Sequence, residues 1–578
     1  MNIIFKITCA GLFLILFGFN GTAQVKQQRI ARVDQMPNLP KPFQIIDYKK
    51  MAVRFDSTVY DFNAKGKFWP MVWIDSTKKN FPQNVVGIYT AVADVRQGTN
   101  NKGMFHEALA TMGATLGASL VGIDKSKQPN LNYVGMLKNY FNSETGWDIM
   151  MNNTAPEVAL LGGGYGRDWW YDVYPNLLFY AVYDKYPNEP GFDVIAKSIA
   201  EKFFKADSIL NGNYDYSYFD YGKMKPMKNN ICAQPDAAAG HAWVLYAAYK
   251  KFGDPRYLKG AKSALAALQS QPINPTYELL MPFGAYLAAR INAEEGAAQY
   301  DTNKMLGWTF DGTAICREGW GVLVGNWNGI DISGTVGSTV DHGGYGFLMN
   351  TYDMAWPMVP MVRYNQSYAT AIGKWMLNAA NASRFFYPQY MPDEHETIPH
   401  LAEVSKGVIG YEGMIRQSSY KAYENLKGPV AQGDGPLWVP GQNPEESQFS
   451  VYGSGHVGIF GSIIRPTNVT GILQLNLLAT DFYSDKAYPS FLYYNPYTTN
   501  KKVSVATEQG KKVDLYNTVS GRFVARNVSS SVKIKIAPES AAVLISVPSG
   551  GKVTYEGSKM LVDGVVVDYN FQQKKQTF

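Results

Sequence analysis

The chain has 578 residues, 46% of them hydrophobic, enough to bury a large core, and its net charge of +6 is thin over that length. No Lys/Arg block stands out, which argues against a nucleic-acid partner, and three cysteines cannot build a disulfide-stapled scaffold. Aromatic residues reach 14% against 18% charged, with 39 Tyr and 12 Trp, so rings fill a core and remain available to line a sugar-binding surface.

The first residues, "MNIIFKITCAGLFLILFGFNGTAQ", place one lysine before a short apolar run and small residues at Gly21-Thr22-Ala23. This is the pattern of a cleavable secretory leader over 1–23, with cleavage after Ala23 and a periplasmic or secreted product. No later stretch has the apolar length of a membrane span, so no membrane insertion is expected. Loss of the leader removes Cys9 and leaves Cys232 and Cys316, enough for one disulfide.

Residues 24–100 are broken by prolines and show no sustained period, and are read as an extension packing on the helical region beyond residue 100. From about 101 to 430 the text turns helical. The clearest unit is "HAWVLYAAYKKFGDPRYLKGAKSALAAL" (241–268). Val244, Leu245, Ala248, Tyr249 and Phe252 mark one stripe, and Tyr257, Leu258, Ala261, Ala264, Leu265 and Leu268 another. Between them Gly253 ends the first helix, Asp254 caps the second and Pro255 sits in its first turn. Similar pairs are expected at 105–123 with 130–142, 168–186 with 191–205, 278–292 with 301–309, and 347–364 with 367–384. Pro357 and Pro360 are expected to kink the first helix of the last pair. A sixth pair would have to come from 401–425 and part of the N-terminal region.

After about residue 445 short β-branched or aromatic runs such as "FLYYNPY", "SVKIKI" and "AAVLISV" alternate with Gly, Asn, Pro and Ser. These predict an antiparallel β-sandwich over 431–550. The tail, 551–578, carries a hairpin signal with Asp563-Gly564 at its turn.

Helical hairpins such as "DAAAGHAWVLYAAYKKFGDPRYL", followed by a sandwich, resemble the (α/α)-toroid carbohydrate-active enzymes, both six-hairpin glycosidases and polysaccharide lyases. The resemblance spans roughly 105–548 at the level of architecture. It implies a mostly α, (α/α)6-like toroid whose central cleft takes an oligo- or polysaccharide where inner-helix ends converge. The residues must supply the chemistry separately.

Three motif matches are set aside. "GSGHVG" (453–458) fits G-x-G-x-x-G, but the text after it reads as strand and turn. His395 and His400 of "HETIPH" are five apart around Pro399, which is wrong for a helical zinc pair. No G-x-S-x-G elbow occurs. The sequence therefore calls for no cofactor and no metal.

Four segments carry candidate site residues. In "GGGYGRDWWYDVYP" (162–175), Asp168 stands at a helix start, with Asp172 one turn on, Arg167 and Tyr165 at the same rim, and Trp169 and Trp170 on different sides. One indole would be core and the other a platform for a pyranose ring. "QPDAAAGHAW" repeats the theme with Asp236 and His241, and "WDIMMNNTAPE" offers Asn153 for sugar hydroxyls or a uronate carboxylate. The Gly-rich stretch 316–347 reads as a long inserted loop holding Arg317, Glu318, Trp320, Trp327, Asp341, His342 and Tyr345.

Glycoside hydrolysis needs two carboxyl groups, here one from Asp168 or Asp172 and one from Asp341 or Glu318, with Asp236 in reserve. Lyase toroids use Asn, His, Tyr and Arg, present as Asn153, His241 or His342, Tyr165 or Tyr345, and Arg167. A non-catalytic glycan binder would need the rings alone. Hydrolysis is the reading taken forward, because the aromatic stretches also carry carboxylates, which would repel a uronate.

Overall fold

The computed structural model describes residues 24–66, 69–90, 106–154, 168–312, 319–397, 401–418, 424–425, 427–432, 451–507 and 510–571. The leader at 1–23 lies outside them, as do Tyr165, Arg167, Arg317 and Glu318. Among the described residues no helix is long and apolar enough to cross a membrane.

The helices that build the ring are α1 (Tyr48–Val59), α2 (Ala108–Leu120), α3 (Trp169–Lys185), α4 (Phe192–Leu210), α5 (Ala237–Phe252), α6 (Pro255–Gln269), α7 (Met281–Glu295), α8 (Thr302–Asp311), α9 (Leu348–Tyr364), α10 (Ala369–Ala382) and the short α11 (Gly458–Ile463), which continues a 3-10 turn at Ser454–Val457. Helix α2 packs on α3, α3 on α5, α5 on α7, α7 on α9, α9 on α11, and α11 with its turn back on α2. This closes a ring of six inner elements. Helices α4, α6, α8 and α10 pack outside their inner partners, and α1 packs outside α11.

The two layers differ as their composition requires. Every residue of α9 is buried, and so is every residue of α3 from Asp172 to Tyr183, because an inner helix touches protein all round. Helix α4 buries one stripe, including Phe192, Ile195, Ala196, Ile199, Ala200 and Phe203. The α5–α6 hairpin forms as read: Gly253 takes φ +72°, Asp254 accepts from the Arg256 N–H, and Pro255 opens α6. Helix α9 runs unbroken across Pro357 and Pro360, held by packing on every side.

The sixth inner position corrects the sequence reading. It is filled by "GSGHVG" and the residues after it, read as strand and turn, rather than by 401–425, while its outer partner, α1, does come from the N-terminal region. The glycines serve close packing. A Cβ on Gly458 would overlap the carbonyl of Gly117, and one on Gly455 would press on Ala114. His456 bonds Asp353 (2.8 Å) and the Leu109 carbonyl (3.1 Å), tying the closing turn to both neighbours.

The stretch 316–347 is not a free loop where it is described. It supplies β1 (Trp320–Val322), β2 (Val336–Ser338) and β3 (Tyr345–Phe347), joined by β4 (Gly413–Ile415) and β5 (Val430–Gln432) in the antiparallel order β5–β4–β3–β2–β1. Its glycines allow tight pairing: a Cβ on Gly337 would overlap the Tyr345 carbonyl.

The sandwich has the expected pattern. Strands β6 (Ile464–Pro466), β7 (Leu473–Asn476), β8 (Ser490–Asn495), β10 (Val513–Asn517), β11 (Arg522–Val528) and β13 (Ser540–Pro548) form one sheet, ordered β6–β7–β8–β13–β10–β11. The pair β9 (Lys501–Ala506) and β12 (Ser531–Ile536) covers one face, where Val503, Val505, Ile534 and Ile536 meet Leu515 and Leu544. The other face is covered by three strands at 553–568, whose turn at Asp563-Gly564 has positive φ at both residues.

Candidate active site

The N-terminal ends of the inner elements meet at one end of the ring, and each brings a polar or aromatic residue. Glu107 precedes α2, Asp168 precedes α3, and Asp236 precedes α5. Tyr277 and Glu278 precede α7, Tyr345 precedes α9, and Tyr452 precedes the closing turn.

Helix starts attract acids for a mundane reason, since a carboxylate there can accept a free N–H. Outer helices use theirs that way. Asp47 accepts from Lys50, Asp254 from Arg256, and Asp301 from Lys304. The inner three do not: Glu107, Asp168 and Asp236 make no side-chain cap bond. Their side chains are spent on one another's surroundings instead.

Asp168 Oδ2 accepts from Trp170 Nε1 at 3.0 Å and from the Tyr277 hydroxyl at 3.3 Å. Asp236 Oδ2 accepts the Tyr277 N–H at 2.9 Å, fixing the segment that carries Tyr277 and Glu278. Glu278 accepts from Asn350 of α9 at 3.0 Å. Trp320 stands edge-on to Tyr277 and to Tyr345, both at 6.2 Å between ring centres, and the Tyr345 hydroxyl donates to Glu412 at 2.8 Å. Trp170 lies 3.9 Å from the Tyr171 ring, and Phe347 stacks on Tyr452 at 6.1 Å. The cluster is buried except at Tyr171, Glu412 and Tyr345, which are partly exposed.

Electrostatically the site is acidic. Burial raises the Tyr171 hydroxyl well above its usual range, and the charges of Asp168, Glu107 and Glu278 push the same way. Tyr452 is raised by burial, then by Tyr171, Glu107 and Glu278. Burial pushes Glu107 up to about 8; the Thr90 hydroxyl works against this and the charge of Glu412 adds to it. Asp236 is also raised by burial. Glu107 and Glu278 both sit at positive φ, +48° and +54°, a left-handed backbone that costs a residue with a Cβ about 1–2 kcal/mol.

Of the residues picked from sequence, Asp168, Trp170, Asp236, Trp320 and Tyr345 meet here. Asn153 lies at the mouth as a brace: its Oδ1 accepts the His106 N–H at 2.9 Å. Trp169 is wholly buried and stacked on Tyr214 at 5.5 Å; Trp170 is buried too, its Nε1 held by Asp168, so neither indole stands out as an open platform. Asp172 bears on Tyr221, in the packing behind the mouth. The i,i+4 argument joining it to Asp168 fails because Asp168 has extended backbone, outside the helix. His241 is core, bonded to Tyr221 (2.8 Å) beside Phe203, and burial lowers it to about 3. Asp341 and His342 occupy a partly exposed turn, their side chains 3.7 Å apart, with the Asp341 N–H donating to Ser338 Oγ at 2.9 Å. Arg167 and Glu318 lie outside the described residues.

The sequence reading does not single out Glu107, Glu278, Glu412, Tyr452 or Tyr171. The first two had a signal. In "FHEALATMGATLG" and "TYELLMPFGAYLAA" a single acid precedes the apolar first turns of a helix, which hold no other acid. A lone charge at the mouth of a fully buried helix has to be accommodated or used.

No known family and no curated protein matches the chain. Solved structures of similar shape include Ara127N, a GH127 β-L-arabinofuranosidase from Geobacillus stearothermophilus T6. It is 9% identical over 91% of this chain and 85% of that one, with a TM-score of 0.32. A second GH127 β-arabinofuranosidase is 11% identical over 80% and 75%, TM-score 0.34. A further glycoside hydrolase is 10% identical over 83% and 80%, TM-score 0.32. These figures describe a loose likeness of shape, and no residue role passes from those enzymes to this chain.

Proposed function

We propose that this protein is a secreted or periplasmic glycoside hydrolase acting on an oligo- or polysaccharide at the N-terminal mouth of its inner ring. The observation that carries the reading is the gathering of Glu107, Asp168, Glu278 and Glu412, from four separate segments, among Trp170, Tyr277, Trp320 and Tyr345. Hydrolysis of a glycosidic bond needs one carboxyl that keeps its proton and one that does not, and neighbouring acids in unequal surroundings provide such a pair. Of the rings beside them Tyr345 and Tyr171 are partly exposed, and these supply the flat apolar surface on which a sugar face stacks.

The acidity of the mouth also supports an uncharged glycan over a uronate, whose carboxylate these residues would repel. The histidines that β-elimination would have drawn on lie elsewhere, His241 in the core and His342 on the exposed turn. A panel of neutral and uronic-acid oligosaccharides tests the reading. New reducing ends without ultraviolet-absorbing product support it. An unsaturated product from a uronic-acid polymer, or tight binding without cleavage of any glycan, overturns it.

A further inference from the structure

Glu107 combines properties that no other residue of the mouth shares. It is 4% exposed, its Oε2 is buried without a hydrogen-bond partner among the described residues, and its backbone is left-handed at the entrance to α2. Both sides of it are clamped. The His106 N–H is held by Asn153 Oδ1 (2.9 Å), and the His106 ring bonds Asp75 (2.9 Å). Beyond it, the Ala108 N–H is held by the Asn152 carbonyl (2.7 Å) and the Leu109 N–H by Asn152 Oδ1 (3.0 Å). "MNN" at 151–153, read from sequence as a turn or as amides for a sugar, is therefore the brace of a single glutamate. A strained backbone fixed from both sides, presenting one unpartnered oxygen, is built to hold that oxygen in place.

Resting on the hydrolase reading above, we infer that Glu107 is the proton donor to the departing glycosidic oxygen, with Glu412 the ionised neighbour that keeps the proton on it. Glu412 suits that part, being partly exposed and accepting the Tyr345 hydroxyl, so its charge is solvated and bonded, while that of Glu107 would be buried with only the Thr90 hydroxyl to offset it. Burial and Glu412 both act to keep Glu107 protonated, and they raise it to about 8. In the step, the Glu107 proton passes to the glycosidic oxygen as the bond from that oxygen to the anomeric carbon breaks. The electron pair stays with the oxygen, which leaves as an alcohol. Water supplies the oxygen that bonds to the anomeric carbon, and the proton it sheds returns to Glu107 through solvent.

The test compares wild type and Glu107→Gln on the glycan hydrolysed in the panel and on the dinitrophenyl glycoside of the same sugar, whose leaving group needs no proton. The expected result is a loss of roughly 10²–10⁴-fold on the glycan but less than about 10-fold on the activated glycoside, with the alkaline limb of the wild-type pH profile gone. Equal losses on both substrates, or a retained alkaline limb, would mean that Glu107 only shapes the site. Hydrolysis by wild type with no loss in the variant sinks this inference alone, whereas no hydrolysis of any glycan by wild type sinks the function itself. Independently of activity, infrared difference spectra near neutral pH should show a protonated carboxyl band in wild type that is missing from the variant. Its absence from wild type would also overturn the inference.

Discussion

Replacing Glu107 by Gln should change how stability depends on pH, and the size of the effect can be worked from its surroundings. An unfolded glutamate ionises near 4.5, and in the folded protein burial and Glu412 hold Glu107 at about 8. Below the lower value both states carry the proton and the contribution of Glu107 is intact. As pH rises between the two values the unfolded chain sheds its proton first, so stability is lost across that window and levels off above the upper one. Such a gap corresponds to on the order of 3–5 kcal/mol, a large part of a typical net stability of about 5–15 kcal/mol. Glutamine has the same shape and no proton to lose. Urea unfolding of both proteins from about pH 4.5 to about pH 9 should give midpoints that nearly coincide at the acid end and diverge upward, the variant becoming the more stable. Parallel curves would show that Glu107 ionises in the folded protein much as it does in the unfolded chain, contrary to its placement beside Glu412 in a buried mouth.

The same geometry sets other outcomes. Asp168→Asn should cut turnover by roughly 10²-fold or more, because its carboxylate orients Trp170 and Tyr277, while Asp341→Asn should stay within about threefold; the reverse order would return the site to the exposed turn. Gly458→Ala should destabilise by at least about 1–3 kcal/mol in thermal unfolding, since its methyl would overlap the Gly117 carbonyl where the ring closes, and an unchanged midpoint would contradict the packing. His241, held at about 3 against an ordinary 6.5, should show a neutral imidazole by NMR well into the acid range. The stability it contributes is present above its ordinary value and is lost as pH falls from there toward the lower one; titration near 6.5 in the folded protein would place it outside the core.

Much of the architecture could be read before any coordinates. Caps and stripes announce α5 and α6, and a stripe likewise marks the buried face of α4, because one-sided burial leaves a periodic record. Inner helices leave a weaker one. Being apolar all round, α3 and α9 show length and composition but no face, so the direction of their side chains was invisible. Trp169 and Trp170 could be divided into core and site in principle but not assigned. The closing segment at 454–463 was missed because its glycines, needed for contact with α2, also imitate a loop. Within the site the difficulty was of another kind. Glu107, Glu278 and Glu412 are single acids with no motif around them, joined only by the ring that brings helix ends together. Asp341 and His342 looked better in one dimension because acid and base were adjacent in sequence, which says nothing about where a turn will point.

Hydrolysis at this mouth leaves its mark on the oxygen of the product. Digestion of the responsive glycan in heavy-oxygen water, with mass spectrometry of the fragments, should put one heavy oxygen at the new reducing end. Asp168→Asn and Glu107→Gln should lose that labelled product together. Fragments lighter by one water, unlabelled and unsaturated, would contradict the account, as would labelled product that persists unchanged in both variants.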